Sequence, residues 1–255
     1  MNIQVLVAAM HQKDHNLLQK MNIQTDVIVG NQSHCNKVEK FNFNGVNATY
    51  LTFNERGVGL NRNNALMRAN ADICLVADDD MVYVDNYPKI IENAFKACPK
   101  ADIIVFNLLE PHSTNKRYVI EKKHRVTRFN YLRYGAARIA FRLSAIREKG
   151  IYFNQCFGGG TEHCAGEDNL FLNACINKGL RIYAYPAYIA ELTEERQSTW
   201  DTGDTKKYLK DKGALFRALS PKFWVLLCLQ DAVRHSSKYN MKSVDAFKLM
   251  LNSKL

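Results

Sequence analysis

The stretch Asp72-Ile73-Cys74-Leu75-Val76-Ala77-Asp78-Asp79-Asp80 joins an apolar run to three adjacent carboxylates. Its apolar part reads as a buried strand of a mostly parallel sheet. Like charges packed at the end of such a strand repel one another and resist desolvation. They are tolerated where something positive sits among them. A hard divalent cation, Mn²⁺ or Mg²⁺, held by oxygen ligands meets that need, and such a cation commonly serves a diphosphate. A second acidic pair, Glu167-Asp168, follows the glycine-rich loop Phe157-Gly158-Gly159-Gly160-Thr161. The two sites together point to a metal-assisted enzyme acting on a phosphorylated donor.

Working outward, four further apolar runs read as strands in or near the first half: Ile3 to Ala9, Asp26 to Gly30, Tyr50 to Phe53 and Ile103 to Leu108. Between them, Leu60, Ala65, Leu66 and Ala69 share one helical face, as do Ile90, Ile91, Ala94 and Phe95. This βα alternation predicts an α/β fold with helices on both faces of the sheet. Ligands of such sheets bind beyond the carboxyl ends of the strands, where Asp78 to Asp80 lie. The second half is less regular. It contains a basic, aromatic segment to Arg138, a strand from Ile139, a helix from about Glu167 and another strand from Arg181 to Tyr185. Amphipathic helices follow from Phe223 to Val233 and from Val244 to Leu251.

The chain has 255 residues, 47% of them hydrophobic and 24% charged, enough for one large core and too few polar runs for extended disorder. Its seven cysteines form no CxxC pair and read as reduced thiols of a cytoplasmic protein, with Cys74 and Cys175 as core filler. Neither a signal peptide nor a membrane-spanning window is expected. The net charge is +10, and residues 204–255 hold eleven Lys or Arg against four Asp, a surplus of seven. That tail reads either as a solvated charged face or as attraction to an anionic surface.

Three segments in order resemble family 2 glycosyltransferases of the GT-A fold. They are Gly57-Val58-Gly59-Leu60-Asn61-Arg62-Asn63-Asn64-Ala65-Leu66, the Asp72–Asp80 stretch, and Gly166-Glu167-Asp168-Asn169-Leu170-Phe171. Gln197-Ser198-Thr199-Trp200, with Lys207-Tyr208 and Asp211-Lys212-Gly213-Ala214-Leu215-Phe216, are similar to bacterial members that build surface polysaccharides such as O-antigen and capsule. The resemblance spans residues 1–216 and implies a GT-A catalytic domain. Residues 1–110 would form its nucleotide-sugar and metal half and 111–216 its acceptor half, with 217–255 as a basic helical extension. It implies inverting transfer from a nucleotide-sugar, UDP-hexose by the family pattern, to a hydroxyl of a polyprenyl-diphosphate-linked saccharide. The protein would sit peripherally on the inner face of the cytoplasmic membrane, and no nucleic-acid partner is expected.

The physical roles run parallel. Asp78 and Asp80 would hold Mn²⁺ or Mg²⁺ against the donor phosphates, Asp79 would meet ribose or sugar hydroxyls, and Arg62 would add a fixed positive charge. An ordinary surface ion pair is the alternative for Arg62. Asp168 is the expected general base, with Glu167 orienting it or binding the acceptor. The helix N-terminus there should stabilise the carboxylate and lower its pKa. Ala8 and Asn31 are assigned to the donor side, and Gly160, His163 and Trp200 to the acceptor side. Many relatives have an acid where this chain has Asn31, which leaves the choice of base open.

Other classes fit less well. A haloacid-dehalogenase-type phosphatase would use Asp78-x-Asp80 after its first strand with a later GDxxxD, whereas here the motif follows the fourth expected strand and the later motif is Gly-Glu-Asp. A sugar nucleotidylyltransferase should open with a glycine-rich loop, which Ala8-Ala9-Met10-His11-Gln12 is not. A nucleic-acid binder could use Lys122, Lys123, Arg125, Arg128, Phe129, Tyr131 and Arg133, but three buried acids beside a polyanion site argue against it.

Overall fold

The computed structural model describes residues 1–111, 118–193 and 204–253. Its strands are β1 (Ile3–Met10), β2 (Asp26–Gln32), β3 (Lys37–Phe43), β4 (Val46–Phe53), β5 (Ile73–Asp78), β6 (Met81–Tyr83), β7 (Ile103–Leu109), β8 (His124–Val126), β9 (Ile139–Arg142) and β10 (Ile182–Leu192). The helices are α1 (Leu17–Lys20), α2 (Val58–Arg68), α3 (Tyr87–Ala97), α4 (Leu143–Glu148), α5 (Glu167–Asn177), α6 (Thr205–Leu219), α7 (Trp224–His235) and α8 (Ser243–Leu251). Two 3-10 turns, Tyr131–Arg133 and Ala136–Arg138, lead into β9.

All ten strands join one sheet in the order β3-β4-β2-β1-β5-β9-β7-β10-β6, with β8 added against β10. The segment β4-β2-β1-β5 is parallel throughout, as is β7 with β10, while β3, β6, β8 and β9 join antiparallel. The central strands read as unbroken apolar runs because both of their faces are covered. Alternate residues enter different cores. Leu6, Ile28, Leu51, Cys74 and Val76 meet α2, α5 and α6 on one face. Val5, Val7, Val27, Val29, Leu75 and Ala77 meet α1 and α3 on the other. Cys74 and Cys175 are fully buried filler, and all seven cysteines are free thiols.

The parallel registers align Ala8 with Gly30 and with Asp78, so the carboxyl ends of β1, β2 and β5 finish side by side. Ala8, Asn31 and Asp78 of the donor-side reading therefore lie together at the carboxyl ends of these central strands. Strand β3 escaped that reading because its side chains alternate between exposed and half-buried and carry no apolar run.

The C-terminal helices pack against the core through much of their apolar surface. Asp204 caps α6, accepting from the backbone N–H groups of Lys206 at 2.9 Å and Lys207 at 3.1 Å. A Cβ on Gly213 of α6 would lie 2.0 Å from the Met250 carbonyl oxygen, so glycine permits the close approach of α8. Met250 is buried, Trp224, Leu227, Phe247 and Leu249 pack against the core, and Phe223 and Leu226 are exposed. Among the described residues no helix is long and apolar enough to cross a membrane.

Candidate active site

The site is organised by Arg62, in the second turn of α2. That helix starts after Gly57, whose backbone has φ 116° and whose N–H donates to Gln32 Oε1 at 2.8 Å. The next N–H, of Val58, donates to the Gly159 carbonyl at 3.0 Å and so ties the glycine-rich loop to the helix start. Arg62 is 4% exposed. Its Nη2 donates to Asp78 Oδ1 at 2.5 Å and its Nη1 to Glu167 Oε1 at 2.6 Å. Burial by itself would lower the guanidinium pKa, but Asp78 and Glu167 outweigh it and hold the pKa above its ordinary value. Arg62 is thus a buried cation between two sequence-distant acids, and the surface ion pair is excluded.

The other two acids of the triple face elsewhere. Asp79 Oδ2 accepts from the Met10 N–H at 3.2 Å and from Gln12 Nε2 at 3.3 Å. The backbone carbonyl of Asp80 accepts from the Thr193 N–H at 2.9 Å. Asn31 is 2% exposed, and its amide is committed locally: Oδ1 accepts from the Gln12 N–H at 3.0 Å and Nδ2 donates to the Gln12 carbonyl at 3.0 Å. Asn31 therefore clamps the turn after β1 and presents Gln12 to Asp79. Gln12 was not singled out from the sequence, and no spacing there could have marked it.

A divalent cation can be tested against these residues. Among the described residues no three His, Cys, Asp or Glu side chains converge as a ready-made cage, and Asp78 already engages Arg62. That donor set does not fit an all-protein site. It does fit a cation such as Mg²⁺ that arrives with a diphosphate, taking one or two carboxylates and completing its shell with phosphate oxygens and water.

Asp168 is the second residue of α5, which Glu167 opens directly after Gly166, whose φ is 115°. Its Oδ1 accepts from the Asn169 N–H at 2.6 Å and from Asn169 Nδ2 at 2.8 Å. Burial first, and then the charge of neighbouring Glu167, pushes its pKa up to about 7 from 3.8. The expected lowering by the helix N-terminus is reversed, because Asn169's hydrogen bonds and Arg62 oppose desolvation without overcoming it. Gly158 makes the neighbouring ion pair possible: a Cβ there would lie 2.7 Å from Glu167 Oε2, and the residue has φ 106°.

A cleft of about 830 Å³ runs from Arg62 and Asp78 past Glu167 and Asp168 to α6 and α7. The 3-10 segment around Arg128 to Arg138 forms one wall, and Tyr208, Lys212 and Arg234 contribute to the other. His163 is not among the lining residues. It is 6% exposed, stacked on Phe157 at 4.5 Å between ring centroids, with Nδ1 3.2 Å from Asp211 Oδ1. Gly160 also lies outside the lining, although Gly159 is part of it. Trp200 falls outside the described residues. Tyr208 and Lys212 on α6 and Arg234 on α7 line the cleft without having been assigned to it; the first two stand in segments that carry the family resemblance, and the tail's basic excess was the signal for Arg234.

No family model matches the chain, and a search of curated proteins finds no match. Solved structures do match. The chain superposes on S. aureus TarS residues 1–349 in complex with UDP-GlcNAc with a TM-score of 0.67 at 16% identity, covering 100% of this chain and 77% of that one. Against S. aureus TarS itself the TM-score is 0.64 at 14% identity, over 98% of this chain and 55% of that one. For TarS 1–349 with UDP it is 0.63 at 15%, over 98% and 90%. The chain has the α/β GT-A fold.

The raised pKa of Asp168 carries a stability consequence. Its folded value, about 7, exceeds its ordinary value of 3.8, so the folded state binds the proton more tightly. The contribution is present below about pH 4 and is lost as pH rises through about 7. Asp168→Asn removes that loss. Its melting temperature should exceed the wild type's at about pH 8, with the advantage fading toward pH 4; a variant less stable than wild type at pH 8 would show that Asp168 ionises there without cost.

Proposed function

We propose that the protein is a metal-dependent, inverting glycosyltransferase that moves a sugar from a nucleotide-sugar, a UDP-hexose, to a hydroxyl of a saccharide acceptor. The observation that carries this reading is the half-buried carboxyl of Asp168, its pKa raised toward neutrality, in a cleft that also holds the Arg62-bridged pair Asp78 and Glu167. TarS complexes hold UDP-GlcNAc and UDP, which supports a nucleotide-sugar donor at the ends of β1, β2 and β5. The fold also disfavours the phosphatase alternative, since the Asp78-x-Asp80 run follows β5 and not the first strand.

In this mechanism Asp168 accepts the proton of the acceptor hydroxyl. The oxygen attacks the anomeric carbon from the face opposite the leaving group, and the bond to the phosphate breaks, releasing a nucleoside diphosphate. A base with a pKa near the working pH suits that step. Arg62 holds Glu167 in place beside Asp168, and Asp79 with Gln12 shapes the donor side. A bound Mn²⁺ or Mg²⁺, held by Asp80 and Asp78, would neutralise charge on the departing diphosphate.

Asp168→Asn should reduce turnover by roughly two to four orders of magnitude with donor affinity little changed. A product that keeps the donor's anomeric configuration would sink the inverting mechanism. Asp80→Ala should remove the Mn²⁺-dependent part of thermal stabilisation by UDP-GlcNAc while the fold persists; undiminished Mn²⁺-dependent stabilisation would refute the metal assignment.

The reading extends to a polyprenyl-diphosphate-linked acceptor, surface-polysaccharide synthesis and peripheral attachment to the inner leaflet. On α7, Val225, Leu226, Leu229 and Val233 are 42–63% exposed, and exposed Lys222, Arg234 and Lys238 lie on or beside that helix. An apolar stripe flanked by cations suits an anionic leaflet, where each Lys or Arg contributes about 1 kcal/mol. Salt-sensitive co-sedimentation with phosphatidylglycerol vesicles is expected, and Leu226→Glu with Leu229→Glu should abolish it. Equal binding by both forms, or by neither, rules the attachment out.

A further inference from the structure

We propose that the acceptor cleft selects an acceptor carrying a phosphate or carboxylate, held by Arg128, Arg133 and Arg234. The proposal rests on the reading of the Asp168 cleft as the acceptor side of a transferase and specifies the chemical class of that acceptor.

The argument starts from a charge inventory of the cleft. Asp78 and Glu167 are both taken by Arg62. Asp211 is paired with Lys207 at 2.8 Å and His163 at 3.2 Å. Asp231 is paired with Lys212 at 2.7 Å and His235 at 2.9 Å. Arg138 is buried and donates to the Phe106 and Tyr118 carbonyls. Every lining acid but Asp168 is neutralised by a cation within the protein.

Three lining arginines remain. Arg128, Arg133 and Arg234 are exposed, and among the described residues none has an acidic partner; Arg133 only stacks on Tyr118, 4.9 Å from the ring centroid. Two come from the 3-10 wall and one from α7, and all three line the same cleft. With the other lining acids paired internally, these three cations leave a positive surplus, and a concave surface focuses that field into the cleft. Guanidinium groups are matched to phosphate and carboxylate, which accept two parallel N–H bonds. Their neighbours add the second half of the specificity: Phe129 is 96% exposed and Leu132 46%. A bare aromatic ring costs hydration unless something covers it, and the C–H face of a sugar ring does so while its acidic substituent reaches the arginines. The acidic group can come from the sugar itself or from the diphosphate of a lipid carrier.

Titration calorimetry of the full chain tests this with the donor site filled by UDP. The probes are methyl glucoside, methyl glucuronide, glucose 6-phosphate and farnesyl diphosphate. The acidic probes should bind at least about tenfold more tightly than methyl glucoside at low salt, as three exposed charge contacts would provide. The difference should close near 1 M salt, where the Debye length falls to about 3 Å. It should also close in the triple variant R128A/R133A/R234A, whose melting temperature serves as the fold control. Tighter binding of farnesyl diphosphate than of the two sugar acids assigns the charge to a lipid carrier, and the reverse order assigns it to the saccharide. Equal binding of neutral and acidic probes, a preference that survives the triple substitution, or acidic probes that bind only until UDP is added would overturn the proposal. If UDP itself does not bind, the donor reading fails, while the comparison of acidic with neutral probes still decides this one.

Discussion

The structure turns on a single buried guanidinium. Arg62 on α2 reaches Asp78 at the end of β5 and Glu167 at the start of α5, so one side chain ties together three elements drawn from distant parts of the sequence. Removing one member of a buried ion pair typically costs about 3–5 kcal/mol, because it strands an uncompensated charge. Here a neutral residue at 62 would strand two carboxylates together. Two of the three consecutive acids at this strand end have partners of different kinds: Asp78 is neutralised by Arg62, and Asp79 accepts hydrogen bonds from the turn after β1.

That commitment shapes Asp168. With Arg62 engaged by Asp78 and Glu167, the strongest direct partners of the Asp168 carboxylate are amides of Asn169. A charged neighbour at Glu167 and loss of water both favour the protonated acid, and the positive end of α5 is too weak to reverse them. Two adjacent acids in one helical turn thus acquire different characters, one an ion-pair anchor and one a carboxyl poised near neutrality, because a single cation reaches only the first.

The basic tail has a structural role alongside its charge. Helices α6, α7 and α8 interlock through the close contact at Gly213 and the cluster of Asp231 with Lys212 and Tyr239. Of these, α6 and α7 supply one wall of the cleft beside Asp168. The charged residues of this region divide by geometry. Lys212 is half-buried and satisfied internally, whereas Arg234 on the neighbouring helix is exposed to the cleft.

From the sequence alone the parallel strands, the carboxyl-end location of Asp78 to Asp80 and the helix opening at Glu167 were all legible. Each is written locally: unbroken apolar runs require burial on both faces, and acids beside a glycine-rich loop signal a turn or helix start. Strand β3, the commitment of Asn31 to Gln12 and the withdrawal of His163 onto Phe157 and Asp211 were not legible, since each depends on partners remote in the chain or on a face with no apolar pattern. The direction of Asp168's pKa shift was decided only by tertiary structure. Sequence records that Asp168 begins a helix, which favours its ionised form. Only the folded arrangement determines how much water is lost there and which acids claim Arg62.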